Sequence, residues 1–335
     1  MRNLFLSTHS SRNFLSFYAV LVLLLLAGCA QRGARATSTS ATPVNVQLPE
    51  GGPVMLAIYQ PWFGNAGHIN VGYSSHDSNV LRQQIAKAQE MNISGFVVNW
   101  YGPGKEWNDR AYDLMQKAAA ADGTFKIAAQ YDEPPGYSTD TVLVDLQYLY
   151  DRYISAASAG PSRSAYLRYK NRPVIFIFPK DALTDWNRIR EMTQAWPDPP
   201  LLIYKDQNDK YDRDFDGYYP WVHAGKAGWS PDGSGYGEDY LEYFYNNMNK
   251  HHPDKLVVGG VWPGFDDRKA SWGRNRRMDY RCGQTFADTL KIFQHFYGTQ
   301  NPAPFLLVET WNDYEEGTDV ERGISHCNSQ AAGSQ

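Results

Sequence analysis

The stretch Gly95-Phe96-Val97-Val98-Asn99-Trp100-Tyr101-Gly102 decides the fold. Its apolar run shows no polar alternation, which marks a strand covered on both faces, as in a parallel sheet. Helix-sized segments flank it. Upstream, Ser78 is placed to cap a helix whose Leu81, Ile85 and Ala88 share one face. Downstream, Asn108 can cap a helix with Ala111, Leu114, Met115 and Ala118 inward, and Gly123 as its stop. Beyond these lie β-rich runs at 54–60 and 126–131, and the alternation continues at 173–178, 201–204, 216–219, 256–261 and 305–310. Helical patterns fall at about 140–157, 183–194, 238–250 and 284–297, whereas the link 205–215 is polar and lacks a helix-sized apolar face. Eight strands alternating with helices predict an α/β fold, a (β/α)₈ barrel. Only 14 residues follow Glu321, so the eighth helix is expected to be short or missing. A doubly wound open sheet is the alternative, but no glycine-rich phosphate loop follows the first strand.

The 335 residues, 42% of them hydrophobic, suffice for one barrel-sized domain and exclude disorder or a disulfide-dense mini-protein. A net charge of −4 gives no basic surplus to attract nucleic acid. Aromatics make up 14% of the chain, with 10 Trp and 23 Tyr, residues that combine flat apolar faces with a polar edge and suit sugar rings as well as cores.

Residues 1–28 read as an address. Arg2 and Arg12 precede an apolar run at 14–27 that is short for a membrane span, the pattern of a signal peptide. Leu26-Ala27-Gly28-Cys29 resembles a bacterial lipobox, which implies cleavage before Cys29, a lipid on its thiol, and a cell-envelope location facing the periplasm or outer membrane. Residues 29–52 are then a small, polar tether and 53–335 the barrel.

Active sites of such barrels lie at the carboxyl ends of the strands. Trp62, Trp100, Trp221, Trp262 and Trp311 fall at or just past five predicted strand ends, together with Asn99, Tyr101, Asp132 and Glu133. After the last strand comes Glu309-Thr310-Trp311-Asn312-Asp313-Tyr314-Glu315-Glu316. Glycosidic cleavage needs two carboxyl groups flanking the bond, and Asp313 and Glu316, three apart in a loop entering the barrel mouth, are the candidate pair. Trp62, Asn99, Trp100, Tyr101, Asp132, Glu133, Trp262, Glu309, Trp311 and Asn312 are the candidate substrate contacts. No cofactor or metal is expected, since no helical His-Glu-x-x-His, cysteine pair or Gly-x-Ser-x-Gly is present.

Trp311-Asn312-Asp313-Tyr314-Glu315-Glu316-Gly317-Thr318, followed by Glu321, resembles the terminal motif of the glycoside hydrolase family 99-like group. Tyr59-Gln60-Pro61-Trp62-Phe63-Gly64 and the 95–102 stretch resemble that group's first two strands, and the likeness covers roughly 54–324. It implies a (β/α)₈ barrel and an endo-acting α-mannosidase or α-mannanase that retains configuration through a 1,2-anhydro sugar. Asp313 then matches the base that deprotonates the sugar 2-hydroxyl, and Glu316 the acid/base at the leaving oxygen. Family 99 carries Glu where this chain has Asp313. Trp-Asn-Asp-Tyr followed by Glu is closer to family 71, the α-1,3-glucanases, described as inverting. The implied function is hydrolysis of an α-mannan or α-glucan polysaccharide by a monomer. The alternative is a non-catalytic, surface glycan-binding lipoprotein on the same barrel.

Three further features need an account. Cys282 and Cys327 fall on neighbouring loops of one rim and are expected to form a disulfide, free thiols being the alternative. Asp212-Arg213-Asp214-Phe215-Asp216-Gly217 matches the opening of a calcium loop whose twelfth position is His223 rather than Glu. Arg268, Lys269, Arg274, Arg276, Arg277 and Arg281 form a basic stretch, read as a solvated loop with an anion-binding alternative.

Overall fold

In the computed structural model, eight parallel strands close into a barrel. They are β1 (Val54–Tyr59), β2 (Gly95–Trp100), β3 (Lys126–Asp132), β4 (Arg172–Phe178), β5 (Leu201–Lys205), β6 (Gly217–Tyr219), β7 (Leu256–Val261) and β8 (Phe305–Val308). Each pairs with the next, and β8 closes onto β1 with Val54 opposite Phe305 and Ala57 opposite Val308. The structure describes residues 52–157, 160–180, 183–298 and 300–324, all within one compact unit, Ala41–Gln335. The signal segment, Cys29, nearly all of the tether and Cys327 lie outside the described residues.

Among the described residues, six α-helices cover the barrel: α1 (Ser78–Glu90), α2 (Glu106–Asp122), α3 (Thr139–Leu149), α4 (Trp186–Gln194), α5 (Glu238–His251) and α6 (Gln284–Phe296). The polar β5–β6 link holds only a single 3₁₀ turn, Asp209–Tyr211. No helix follows β8 among the described residues. Two helix starts move relative to the sequence reading. Asp77, not Ser78, caps α1 by accepting from the Asn79 N–H. α2 begins at Glu106, two residues before Asn108, with Glu106 and Asp109 in its first turn, where acids favour a helix N-terminus.

Strand periodicity splits the core in two. Leu56, Ile58, Val97, Ala128, Val174, Phe176, Ile203, Tyr219, Val258 and Leu307 fill the barrel interior. Their neighbours Ala57, Tyr59, Phe96, Val98, Trp100 and Tyr131 pack outward against the helices. This alternation settles which strand-end residues reach the cleft, because a side chain one position off faces the helix layer instead.

Candidate active site

The loop after β8 is bound to the barrel by its own polar groups. Trp311 N–H donates to Ile58 O, extending the β8–β1 pairing. Asn312 clamps the same strand end: its Oδ1 accepts from Gln60 N–H at 2.7 Å and its Nδ2 donates to Gln60 O at 3.0 Å. Asp313 N–H donates to Thr310 Oγ1, and Thr318 N–H to Asp313 O, folding the segment into a tight turn. Gly317 ends that turn with φ +64°; a Cβ there would lie 2.4 Å from the Tyr280 hydroxyl, which itself donates to Gly317 O.

Asp313 and Glu316 thereby face one cavity of about 440 Å³ at the carboxyl ends of the strands. Gln60, Trp62, His68, Asn99, Tyr101, Asp132, Lys180, Trp221 and Trp272 are among the residues lining it. The two acids differ in their partners. Asp313 accepts three N–H donors: the backbone of Glu315 (3.2 Å) and Glu316 (2.9 Å) on Oδ1, and the Gln60 amide (3.1 Å) on Oδ2. Glu316 accepts one, the Trp272 indole N–H at 2.9 Å. Burial raises the pKa of both acids, and for Asp313 the charge of Glu316 adds to the effect. Two buried carboxyls this strongly coupled hold one proton between them before both ionise. The backbone N–H groups of Glu315 and Glu316 oppose the shift at Asp313 without overcoming its burial, and the Trp272 indole with the charges of Arg276 and Lys180 opposes it at Glu316.

The orientation of Gln60 follows from a hydrogen-bond chain along the cleft floor. Lys180 Nζ lies 2.9 Å from Asp132 Oδ1. Asn99 Nδ2, with two hydrogens to donate, lies within hydrogen-bond reach of Asp132 Oδ2 (3.2 Å), Gln60 Oε1 (3.1 Å) and the Tyr101 hydroxyl oxygen (2.9 Å). With its oxygen engaged, Gln60 must turn its NH₂ toward Asp313. Burial raises the Asp132 pKa, and Lys180 opposes that shift. Asn99 Oδ1 and Trp62 Nε1 are buried without a hydrogen-bond partner among the described residues, an acceptor and a donor left over on cleft-lining residues.

On one wall, Trp62 stacks on His68 with ring centres 4.6 Å apart and planes 4° from parallel. His68 Nδ1 lies 2.7 Å from Glu315 Oε2, so Glu315 anchors this wall. Glu321, the last acid of the motif, accepts from Tyr314, Tyr73 and Gln84 and braces the loop from behind.

Several expected contacts stand elsewhere, which corrects the candidate list. Trp100 is fully buried in the helix layer and donates its indole N–H to Asp109. Glu133 accepts from Lys180 N–H and Thr184 Oγ1, tying down the segment after β4. Trp262 is fully buried and donates to Tyr236 O. Trp311 is fully buried and packs on Phe96 with ring centres 5.3 Å apart. Asn312 is fully buried and serves as the β1–β8 clamp. Glu309, also fully buried, does not line the cavity; a Cβ on Gly260 would lie 2.9 Å from its Oε1. Burial pushes its pKa well up. Trp62, Asn99, Tyr101 and Asp132 line the cleft with the acid pair.

The candidate contacts read from the sequence leave out Gln60, His68, Lys180 and Trp272, and Trp221 stands there only as a strand-end tryptophan. Gln60, Lys180 and Trp221 all sit at or just past predicted strand ends, and that position is the signal that points to them. Trp272 carries no such signal, being in the middle of a long loop.

The calcium-loop match dissolves into scaffolding. Asp216 pairs with Arg172 and Arg190 and accepts Leu202 N–H, Asp214 accepts from Asn187, and Asp212 from His252 and Tyr218. Four arginines of the basic stretch pair with acids: Arg268 with Asp266, Arg276 with Asp267, Arg277 with Asp279 and Arg281 with Asp288. Cys282 is disulfide-bonded; the expected partner, Cys327, is outside the described residues. Among the described residues, no cluster of His, Cys, Asp or Glu is arranged to hold a metal ion, and no helix is long and apolar enough to cross a membrane.

No family model matches the chain. It is 22% identical to a glycoprotein endo-alpha-1,2-mannosidase-like protein of mouse over 310 residues, and 22% identical to the human protein of that name over 321 residues. Each alignment covers 84% of this chain, and the chain spans 64% of the length of each relative. Among solved structures, the family 99 endo-alpha-mannosidase of Bacteroides thetaiotaomicron in complex with bis-tris-propane aligns with a TM-score of 0.63 at 20% identity, covering 80% of this chain and 86% of that one. A glycoside hydrolase-like protein aligns at 0.58 and 14% identity, over 85% of this chain and 90% of that one. The closed barrel is therefore the fold of the family 99 structures, as the motif resemblance implies.

Proposed function

We propose that this protein is a family 99-like glycoside hydrolase that cleaves α-glycosidic bonds in an α-mannan or α-glucan polysaccharide. The observation that carries the reading is the unequal pair in one cleft: Asp313 held by three N–H donors, Glu316 by one. Glu316 donates its proton to the leaving glycosidic oxygen, and Asp313 accepts one on the other side of the reaction. If the proton comes from the sugar 2-hydroxyl, O2 displaces the leaving oxygen at C1 and water then opens the 1,2-anhydro sugar, so two inversions retain the configuration; if it comes from water, that water displaces the leaving oxygen directly and the configuration inverts. Trp62 offers the sugar a flat face, and Asn99 and Trp62 offer their unpartnered polar atoms to its hydroxyls. Lys180 and Asp132 flank the same floor.

Incubation of the chain with a panel of α-mannans and α-glucans, with products resolved by size and by anomeric NMR, tests this directly. Shortened α-linked products support the hydrolase, and their anomeric form decides between the two fates of the Asp313 proton. Glycan binding without any hydrolysis overturns it in favour of the binding lipoprotein.

We also propose that the enzyme acts as a monomer tethered to the cell envelope through a lipid on Cys29. Cys29→Ser is expected to move it from the membrane fraction to the soluble fraction or to block its maturation. Unchanged detergent partitioning and mass would reject the anchor.

A further inference from the structure

The loop after β7 reaches across the cleft mouth and ends at the acid. It starts at a short antiparallel pairing of Phe265–Asp266 with Arg277–Met278, and is pinned by Asp267. That fully buried carboxylate accepts Arg274 N–H (3.0 Å), Arg276 N–H (2.7 Å) and Arg276 Nε (2.7 Å). Gly273 permits the turn at the tip, since a Cβ there would lie 1.9 Å from Asp267 O. Trp272 precedes that glycine. Its ring is 42% exposed, yet it meets Trp62 edge-on at 5.8 Å and His68 at 6.1 Å while its N–H engages Glu316 Oε1. A tryptophan left this open would serve packing poorly, and its N–H could equally be hydrated.

We propose that Trp272 is a positioning residue for the acid: its N–H occupies Oε1 of Glu316, so the proton resides on Oε2, the oxygen that faces the leaving group. In a carboxylic acid the carbonyl oxygen accepts and the hydroxyl donates. No hydrogen bond reaches Oε2 from the described residues. This inference rests on the hydrolase reading for its catalytic meaning, but not for its geometry. The other charged or titratable groups facing Glu316 are Asp313, Asp267, Arg276, Lys180 and Tyr101. The indole bond stabilises the ionised form, so its loss raises the acid's affinity for its proton.

Two readouts separate positioning from packing. In the full chain carrying ¹⁵N-tryptophan, the Trp272 indole resonance, assigned by its loss in Trp272→Phe, is expected to shift as Glu316 titrates and to lose that titration in Glu316→Gln. A pH-independent resonance, or one that titrates equally in Glu316→Gln, overturns the proposal. In activity, Trp272→Phe keeps a ring but loses the N–H. The alkaline limb of its kcat/KM profile is expected to move up by about half a pH unit, with kcat reduced and KM changed less than about threefold. An unmoved limb, or a rise in KM alone, overturns it too. If the wild-type chain cleaves no glycan, the hydrolase reading fails, and the indole titration alone decides this inference.

Discussion

Asp267 and Asp313 are a matched pair with opposite purposes. Both are buried, at 0% and 2% exposure, on adjacent loops, and each accepts two backbone N–H groups and one side-chain N–H. They differ in their remaining neighbour. For Asp267 the side-chain donor is the Arg276 guanidinium, so a buried charge meets its counter-charge. For Asp313 the donor is a neutral amide, and the charge that acts on it most is another carboxyl, Glu316. A buried acid with a cation beside it is structural mortar. A buried acid beside another acid is held at an energetic cost, and such costs concentrate where chemistry is done.

The largest expected contrast comes from substituting each. Asp313→Asn is expected to lower turnover by about 10²–10⁴-fold, the usual range for a general acid–base group, with thermal stability unchanged or raised because a buried titratable carboxyl disappears. Asp267→Asn is expected to lower stability by about 2–3 kcal/mol, since it leaves a guanidinium and backbone donors poorly matched. The Arg276 side chain is 32% exposed, so water takes up part of the loss that a fully buried pair would suffer. Denaturant unfolding and kinetics on the two variants check this. A destabilised Asp313→Asn with intact specific activity would break the comparison.

Cys282, on the same rim as Asp267, is disulfide-bonded. If its partner is Cys327, it closes a loop of about 45 residues, worth roughly 4 kcal/mol in the chain-entropy model. Peptide mapping of the unreduced protein should find that cross-link, and Cys282→Ser should lower the unfolding midpoint. Two titratable thiols in the unreduced, unfolded chain would reject the pairing.

Asp319, on the loop after β8, is a third buried acid of this region. Burial pushes its carboxyl up to about 7 from an ordinary value of 3.8, against the opposing charge of Arg322. The folded state then binds this proton more tightly than the unfolded chain, so stability falls as pH rises from about 4 toward 7. Asp319→Asn removes that penalty. Its melting temperature should exceed that of the wild type at pH 8 and match it near pH 4. A difference constant with pH would contradict the assignment.

The smallest effects concern two tryptophans at strand ends. Trp62→Phe narrows the platform and loses an unpartnered N–H, and is expected to raise KM about three- to tenfold, the scale of one aromatic contact. Trp100→Phe, which loses the Asp109 bond, should lower the melting temperature and leave KM unchanged.

Those two tryptophans also show how far the sequence could be read. Strand runs such as 95–100 were legible because burial on both faces leaves an unbroken apolar stretch, and all eight strands fall within two residues of expectation. The acids Asp313 and Glu316 were legible as a loop motif. What strand ends did not disclose was parity: Asn99 points into the barrel and Trp100 away from it, and an apolar-on-both-faces strand carries no alternation to tell them apart. Trp272 was illegible for another reason. Its place depends on Asp267 folding a loop back on itself, a contact made by backbone N–H groups that leave no trace in residue type.

The division of labour between Asp313 and Glu316 is tested most directly with an activated substrate. An aryl α-glycoside of the sugar identified in the panel, with a leaving group acidic enough to depart unprotonated, bypasses the acid but not the base. Glu316→Gln is expected to cleave it at close to the wild-type rate while failing on the polysaccharide, and Asp313→Asn is expected to fail on both. Equal losses on the two substrates for Glu316→Gln, or full activity of Asp313→Asn on either, would contradict the assignment of the proton to Glu316.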